Sequence, residues 1–334
     1  MLRSLYSAIS GMNAFQTQLD VTGNNIANVD TTGFKAGRVE FSDILSQTMS
    51  NATQPTAAGT ATPINFGPGG INPQQIGLGV NVASIDTMFT QGADQQTGVP
   101  TDMALDGDGL FIVSPNMNTV LPTSAGTAPS YTGTATGVTY NYSRAGNFSV
   151  DAQGNLVLPD GSKLMGYELQ TSATGTSATL PTNLNKLVPI NISIIPSSPT
   201  GTTTPVPGNF TIGTNGVVTV TDPTNPSNYF TFQIALANFN NPGGLQKVGN
   251  NLYETTSNSG QFNAGAPSNN ALIGIPGSNG FANVRPGYLE ASNVNLTQEF
   301  TNMIVAQQGF DANSKVVNTD NNILSTIDNL EQQA

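Results

Sequence analysis

Residues 1–30 read MLRSLYSAISGMNAFQTQLDVTGNNIANVD, and their apolar side chains recur at helical spacing. Leu2, Leu5, Ile9, Met12 and Leu19 lie three, four or seven residues apart, a pattern typical of a helix that packs against another helix. The other faces carry Ser, Thr, Gln and Asn with almost no charge. We therefore predict a helix from about residue 2 to about residue 28 that depends on a packing partner for its stability.

The last forty residues contain a second apolar row with the same mixed spacing. Its members are Leu296, Phe300, Met303, Phe310, Val317 and Leu324. Asn295 followed by Gln298 resembles a capping box, a pair of side chains that begins many helices. Between the two ends, short apolar runs alternate with glycine-containing turns. The sequence therefore predicts a mainly β body with α-helical termini, in which the two ends meet and the body projects outward.

Composition narrows the function classes. The chain has 334 residues, which favours about two domains. Only 9% of its residues are charged and its net charge is −11, so neither nucleic acid nor an anionic membrane surface is an expected partner. No apolar run is long enough to span a membrane. Ser4, Ser7 and Ser10 interrupt the apolar region that a cleaved signal peptide would need, so none is expected.

The chain contains no cysteine and no histidine. This excludes disulfides, thiolate or imidazole metal ligands, and the Ser-His or Cys-His pairs of many hydrolases. Asp106 and Asp108 do not form a calcium loop of the EF-hand type, because the fifth position is Leu110. A carboxylate-pair enzyme has little support, so no catalytic, cofactor-binding or metal-binding residues are predicted.

The body is predicted to be an all-β sandwich or barrel built from hairpins. Asp-Gly and Asn-Gly pairs between apolar runs indicate tight turns near residues 106–109, 160–161 and 215–216. A further hairpin is expected over residues 142–158. Segments rich in Thr, Ser, Gly and Pro, at about 50–73, 115–139 and 171–207, are predicted to be loops or edge strands.

Two longer motifs resemble a known family. Residues 19–35, LDVTGNNIANVDTTGFK, resemble the N-terminal signature of the rod and hook proteins of the bacterial flagellum. Residues 284–295, VRPGYLEASNVN, resemble the C-terminal counterpart of that signature. The resemblance covers both ends and most of the body. The signature positions are Gly23, Asn24, Asn25, Asn28, Gly33, Phe34 and Lys35.

The resemblance implies a structural role. Residues 69–92 resemble the short hook proteins of Gram-positive-type bacteria more than they resemble the distal rod protein. The expected function is therefore a subunit of the flagellar hook, a flexible helical tube that transmits motor torque and encloses the export channel. The alternative within the family is a subunit of the distal rod, a rigid drive shaft. A third interpretation, an extracellular adhesin or surface-layer module, leaves the two helical rows without a purpose.

The family also implies an organisation. Residues 1–30 and 291–334 would form an antiparallel, coiled-coil-like inner domain whose two apolar rows pack between subunits. Residues 31–90 and 275–290 would form an extended linking region, and residues 91–274 the β-rich outer body.

The family implies partners and a route of export as well. Expected partners are copies of the chain itself, the distal rod protein, the hook cap, the hook–filament junction proteins and the flagellar type III export apparatus. The hook lies outside the cell, and the chain would reach it through the flagellar channel. Phe41 and Leu45 fit the Phe-x-x-x-apolar element that the export gate recognises, although local packing would also explain them.

Overall fold

The computed structural model describes residues 2–54, 69–116, 139–169, 187–192, 209–221, 229–260, 273–278 and 280–331. Most of the predicted loops at about 50–73, 115–139 and 171–207 therefore lie outside the described residues. The chain forms two compact units, each assembled from separate stretches of sequence. Unit 1 comprises Met1–Ala27, Gly37–Asp86 and Asn295–Ala334, and unit 2 comprises Asn28–Ala36 and Thr87–Val294.

Unit 1 contains both helices. Helix α1 runs over Leu2–Ala27 and helix α2 over Leu296–Glu331, which agrees with the helices predicted from the apolar rows. Asn295 caps α2, because its side-chain oxygen accepts hydrogen bonds from the backbone N–H groups of Thr297 (3.1 Å) and Gln298 (3.3 Å). The Gln298 side chain donates to Asn302.

Four strands complete unit 1. They are β1 (Gly37–Asp43), β2 (Ser46–Ser50), β3 (Gln74–Gly77) and β4 (Val80–Thr87). β1 pairs with β4, and β2 pairs with β3 in antiparallel register. Every residue of β2 and β3 is exposed, so the described part of this hairpin has no buried face.

Unit 2 contains the remaining strands. They are β5 (Asp94–Gln96), β6 (Met103–Asp106), β7 (Leu110–Ser114), β8 (Asn141–Ser143), β9 (Ser149–Val150), β10 (Leu156–Val157), β11 (Lys163–Leu169), β12 (Val188–Pro189), β13 (Asn209–Ile212), β14 (Val217–Thr221), β15 (Tyr229–Ile234), β16 (Leu236–Ala237), β17 (Gln246–Gly249), β18 (Leu252–Glu254), β19 (Ile273–Gly274), β20 (Asn283–Pro286) and β21 (Tyr288–Glu290). Within the described residues, thirteen of them form one sheet with the main order β13-β14-β15-β11-β7-β8-β18-β17.

The core of unit 2 lies on both faces of this sheet. Along β7, Leu110 and Ile112 belong to one apolar cluster, whereas Phe111 and Val113 belong to another. Neighbouring side chains of a strand point to opposite faces, so residues 110–113 form an unbroken apolar run because both faces are covered. The chain is mainly β with a helix near each end, as predicted, and the described strands form no closed barrel.

Three of the predicted tight connections are confirmed. β9 pairs with β10, β10 with β11, and β13 with β14, all in antiparallel register. The turn between β13 and β14 contains Asn215 and Gly216, and Gly216 adopts the positive φ of 72° that such a turn requires. These hairpins were predictable because the turn residues themselves dictate the local backbone.

The hairpin predicted across residues 106–110 is wrong. Strands β6 and β7 form on either side of the turn, but β6 pairs with β20, whereas β7 pairs with β8, β11 and β16. Gly107 and Gly109 have positive φ values of 119° and 146°. Both of their carbonyl groups accept hydrogen bonds from the guanidinium of Arg144. The turn therefore encloses a buried side chain, and the two strands diverge to different partners.

Candidate functional site

The two helices of unit 1 run antiparallel and keep one register along their contact. The contacting pairs are Ser4 with Asp320, Gly11 with Asn313, Phe15 with Gly309, and Asn25 with Glu299. From Ser4 to Asn25 the number in α1 rises by 21, and from Asp320 to Glu299 the number in α2 falls by 21. Hydrogen bonds of 2.6 Å and 3.3 Å join the first and last pairs.

α2 is longer than α1, with 36 residues against 26. Because Asp320 lies opposite Ser4, the register places Leu2, the first described residue of α1, opposite Asn322, and residues 323–331 extend beyond α1. Residues 323–330 are all exposed.

Small side chains occupy the centre of the helix contact. Ala8 and Ala14 are each 4% exposed, and Ala306 is fully buried. Gly11 is also buried, and a Cβ on it would come within 2.5 Å of Asn313 Nδ2. Such residues let two helix backbones approach closely. These small residues were not predicted to form the helix contact, although Ala8, Gly11 and Ala14 recur at intervals of three in the sequence.

The apolar rows predicted from the sequence lie beside these small residues and are only partly covered by the chain itself. Leu5, Met12, Leu19, Met303, Phe310 and Val317 are half-buried, while Ile9, Leu296, Phe300 and Leu324 are exposed. The side chain of Leu2 lies outside the described part of the chain. Packing of these rows between subunits therefore stays a prediction.

One stretch of α2 presents a group of exposed apolar side chains. Phe300, Ile304 and Val305 are 51%, 54% and 55% exposed. Phe300 and Ile304 are four residues apart, which places them on the same helix face. Contiguous exposed apolar surface marks interaction sites in soluble proteins. We call these three residues the α2 patch.

The predicted export element lies on the surface of unit 1. Phe41 belongs to β1 and is 40% exposed, and Leu45 follows that strand and is 80% exposed. The ring of Phe41 lies 6.2 Å from the ring of Phe15, measured between centroids. Phe41 therefore has a packing contact with α1, and recognition by an export gate stays a prediction.

The first half of the family signature ends α1. Gly23, Asn24 and Asn25 lie in its last turns, and Asn28 lies in the turn that follows. The buried Asn25 side chain donates to the backbone carbonyl of Gly37 (2.8 Å) and accepts from the N–H of the same residue (3.0 Å). A side-chain amide thus satisfies the backbone at the start of β1 as a neighbouring strand would.

The second half of the signature is buried in unit 2. Gly33 donates its N–H to the backbone carbonyl of Glu290 at 2.8 Å. The ring of Phe34 is buried, and the ammonium of Lys247 lies 4.8 Å from its centroid, within the range of a cation–π contact.

Lys35, Arg144 and Glu290 form a buried ion cluster. Lys35 Nζ lies 2.6 Å from Glu290 Oε1, and Arg144 Nε lies 2.7 Å from Glu290 Oε2. The side chains of Lys35 and Glu290 are fully buried and that of Arg144 is 5% exposed. The N–H of Gly92 also donates to Oε1 (2.8 Å), and Lys35 donates to the carbonyl of Thr90 (2.7 Å). One carboxylate therefore compensates two cations that lie far from it in the sequence.

The charges of the cluster perturb one another. Burial alone would raise the pKa of the Glu290 carboxyl, but Arg144 and Lys35 outweigh this effect and hold that pKa below its usual value. Burial lowers the pKa of the Lys35 ammonium, and Glu290 offsets only part of that effect. The cluster is therefore most favourable with Glu290 ionised.

Acid should destabilise unit 2 through Glu290. Because its pKa is lower in the folded chain, the unfolded chain binds more protons between the folded value and about 4.3. The contribution of Glu290 to the free energy of unfolding is thus fully present above the pKa that this carboxyl has in the unfolded chain. It is lost as the pH falls through the pKa that the carboxyl has in the folded chain. When the free energy of unfolding is measured in urea from about pH 7 to about pH 3, we expect it to fall less for Glu290→Gln than for the wild type. Equal declines in the two proteins would contradict the assignment.

The described residues offer no group of three or more His, Cys, Asp or Glu side chains that could hold a metal ion. No helix in the described part of the chain combines the length and apolarity needed to cross a membrane.

Three family models match parts of the chain. The model described as flagella basal body rod protein matches residues 5–35, and the model for the C-terminal part of the flagellar basal body rod FlgEFG protein matches residues 285–330. The model for the D1 domain of the flagellar hook protein FlgE/F/G matches residues 133–220. The first of these matches contains the motif at residues 19–35, and the second covers all but the first residue of the motif at residues 284–295.

Among the proteins similar in sequence, some are named flagellar basal-body rod protein FlgG and others flagellar hook protein FlgE. The flagellar basal-body rod protein FlgG of Bacillus subtilis is 39% identical over 332 residues, which cover 99% of this chain and 100% of that protein. The flagellar hook protein FlgE of Borreliella burgdorferi is 28% identical over 476 residues, covering 98% and 99%. The flagellar hook protein FlgE of Helicobacter mustelae is 45% identical over 167 residues, which cover 50% of this chain and 31% of that protein.

Proposed function

This chain belongs to the flagellar rod and hook protein family, and from that premise we propose that it is a structural subunit of the distal rod. The alignment with the Bacillus subtilis rod protein supports this choice, because it runs over 332 residues without a large insertion. The alignment with the Borreliella burgdorferi hook protein extends over 476 residues, although this chain has 334. A rod subunit would join copies of itself in a straight, rigid tube.

The flagellar hook, expected from the sequence, is the second candidate. The 45% identity to the Helicobacter mustelae hook protein over half of this chain favours it. A hook subunit would use the same terminal helices but would form a tube that bends while it transmits torque. Polymer shape separates the two candidates, since straight tubes indicate rod and curved, polymorphic tubes indicate hook.

The observation that carries a polymeric role is the uncovered apolar surface of the helix pair. We propose that the α2 patch and the two apolar rows pack against the helices of neighbouring copies. Burial of one phenylalanine contributes about 1.5–3 kcal/mol, so a subunit that exposes several such side chains has a strong drive to associate. Copies joined head to tail with a rotation that does not close would form a helical tube.

Phe300→Gln should weaken polymerisation while leaving the monomer folded. Phe300 is 51% exposed in the single chain, so its removal should change monomer stability by less than about 0.5 kcal/mol. Loss of its burial between copies should raise the critical concentration about 10- to 100-fold. Sedimentation across a concentration series and electron microscopy of the pellets measure this effect and the shape of the tubes.

The control is Ser149→Gln, at an exposed position of β9 in unit 2. It introduces the same side chain away from both helices and should polymerise like the wild type. Unchanged polymerisation of Phe300→Gln would refute the proposed contact. Absence of any polymer from the wild type would argue against the polymeric role itself.

We also propose the surroundings in which such a subunit works. The chain would leave the cell through the flagellar type III export apparatus, with Phe41 and Leu45 as the element recognised at the gate. As a rod subunit it would adjoin other rod proteins and the first hook subunits. As a hook subunit it would lie outside the cell and meet the distal rod protein, the hook cap and the hook–filament junction proteins. In either position its role would be mechanical and non-enzymatic.

A further inference from the structure

The two segments that lead into the helices are joined to each other inside unit 2. We call residues 28–36 the N-arm, because it follows α1, and residues 287–294 the C-arm, because it precedes α2. The N–H of Gly33 donates to the carbonyl of Glu290, and the N–H of Ala36 donates to the side chain of Asn293, both at 2.8 Å. Lys35 adds the buried ion pair with Glu290.

Polar contacts, more than apolar ones, hold the arms to the rest of unit 2. In the described residues, neither apolar cluster of the core includes a residue of either arm. The Asn251 side chain donates to the carbonyl of Thr32 (3.0 Å), and the N–H of Gly287 donates to the carbonyl of Asp102 (2.8 Å). Phe34 is the main buried apolar side chain of the N-arm, and its ring lies beneath the ammonium of Lys247.

The Glu290 carboxylate lies between two buried cations, Lys35 and Arg144. It contacts Lys35 of the N-arm, Arg144 of the body and the N–H of Gly92. Without its charge, the buried ammonium of Lys35 and the buried guanidinium of Arg144 would face each other uncompensated. Such a pair favours any state in which water reaches Lys35, and detachment of the arms achieves this without disrupting either apolar cluster.

We propose that Glu290 is a latch that holds both arms on the body, so that they detach together while the sheet of unit 2 stays folded. The two arms share the same carboxylate, which makes their attachment a single cooperative event. The core strands keep their apolar clusters in the detached state, because those clusters do not depend on the arms.

Hydrogen exchange of the full-length Glu290→Gln protein tests the latch. Glutamine keeps the size of the side chain and removes its charge. Amides of the N-arm and the C-arm should exchange about 100-fold faster than in the wild type, and by the same factor. Amides of β7 and β11 should stay more protected than those of the arms, because the sheet remains folded when the arms open. The control is Glu40→Gln, which removes an exposed carboxylate paired with Arg38 and should leave both arms protected.

The wild type provides a second test that does not depend on how the variant folds. In exchange of the dilute protein at increasing, sub-denaturing urea concentrations, the two arms should open with one common free energy that is lower than that of β7 and β11. Arms that open separately, or only together with the core strands, would overturn the proposal. So would unchanged arm protection in Glu290→Gln.

Discussion

Gly33→Ala is expected to destabilise unit 2 by about 2–5 kcal/mol, the sum of a conformational cost and a steric one. Gly33 adopts a φ of 69°, in the left-handed region that side chains disfavour. A Cβ at this position would lie 2.6 Å from the backbone nitrogen of Ala145 and 2.7 Å from the backbone carbon of Arg144. Because both contacts are backbone atoms beside the ion cluster, no side-chain rotation relieves them. Urea unfolding of the variant measures the loss.

Gly98→Ala is the matched control for the conformational part of this effect. Gly98 has a nearly identical φ of 71°, but a Cβ there would meet no atom within 4 Å. Its cost should be limited to about 1–2 kcal/mol for the left-handed backbone. Equal losses in the two variants would show that the close approach at Gly33 contributes nothing.

Arg144→Ala should be equally severe, at about 3–5 kcal/mol, because it breaks a buried ion pair from one side. The guanidinium donates to Glu290 and to the backbone carbonyls of Gly107 and Gly109. Its removal leaves a buried carboxylate with a single cation and deprives the turn between β6 and β7 of its donors. We expect a lower urea midpoint with an unchanged dependence on urea concentration, since the surface exposed on unfolding is nearly the same.

Arg38→Ala supplies the comparison on the surface. Arg38 pairs with Glu40 at 2.6 Å, as short as the contact between Lys35 and Glu290, but its side chain is 57% exposed and that of Glu40 is 47% exposed. Water screens this pair, so the change should cost less than about 1 kcal/mol. A loss as large as that of Arg144→Ala would mean that burial does not decide the strength of these ion pairs.

The sequence predicted the elements whose causes are local. Apolar residues at helical intervals marked both helices, and Asn295 marked the start of α2. Asn215 and Gly216 marked the turn between β13 and β14, because the left-handed backbone that this turn needs is a property of those residues themselves.

Long-range pairing was beyond the sequence. Lys35 was singled out as part of a motif, but its partner Glu290 lies 255 residues away and Arg144 lies 146 residues from Glu290. The same interaction explains the wrong hairpin, since Arg144, which follows β8, places its guanidinium in the turn after β6. Only 9% of this chain is charged, so a charged residue within an uncharged segment was the available hint of burial.

The sequence also did not predict which residues of the two helices contact each other. Spacing identified the large apolar side chains but not the small ones, because packing depends on shape as well as on hydrophobicity. Ala8, Gly11 and Ala306 occupy the contact, and larger neighbours such as Phe300 remain at the surface. Which face of a helix meets its own partner and which one stays available is decided by the fit between two surfaces.

Because α2 is longer than α1, its C-terminal end projects beyond the helix pair. Residues 323–331 of α2 extend past the first described residue of α1 and, at 1.5 Å per residue, project by about 14 Å. Ile323, Leu324 and Ile327 on this projection are between 40% and 44% exposed. In a tube of identical copies, this projection would reach toward the next copy along the axis, and its length would limit how far adjacent copies could slide before that contact was lost.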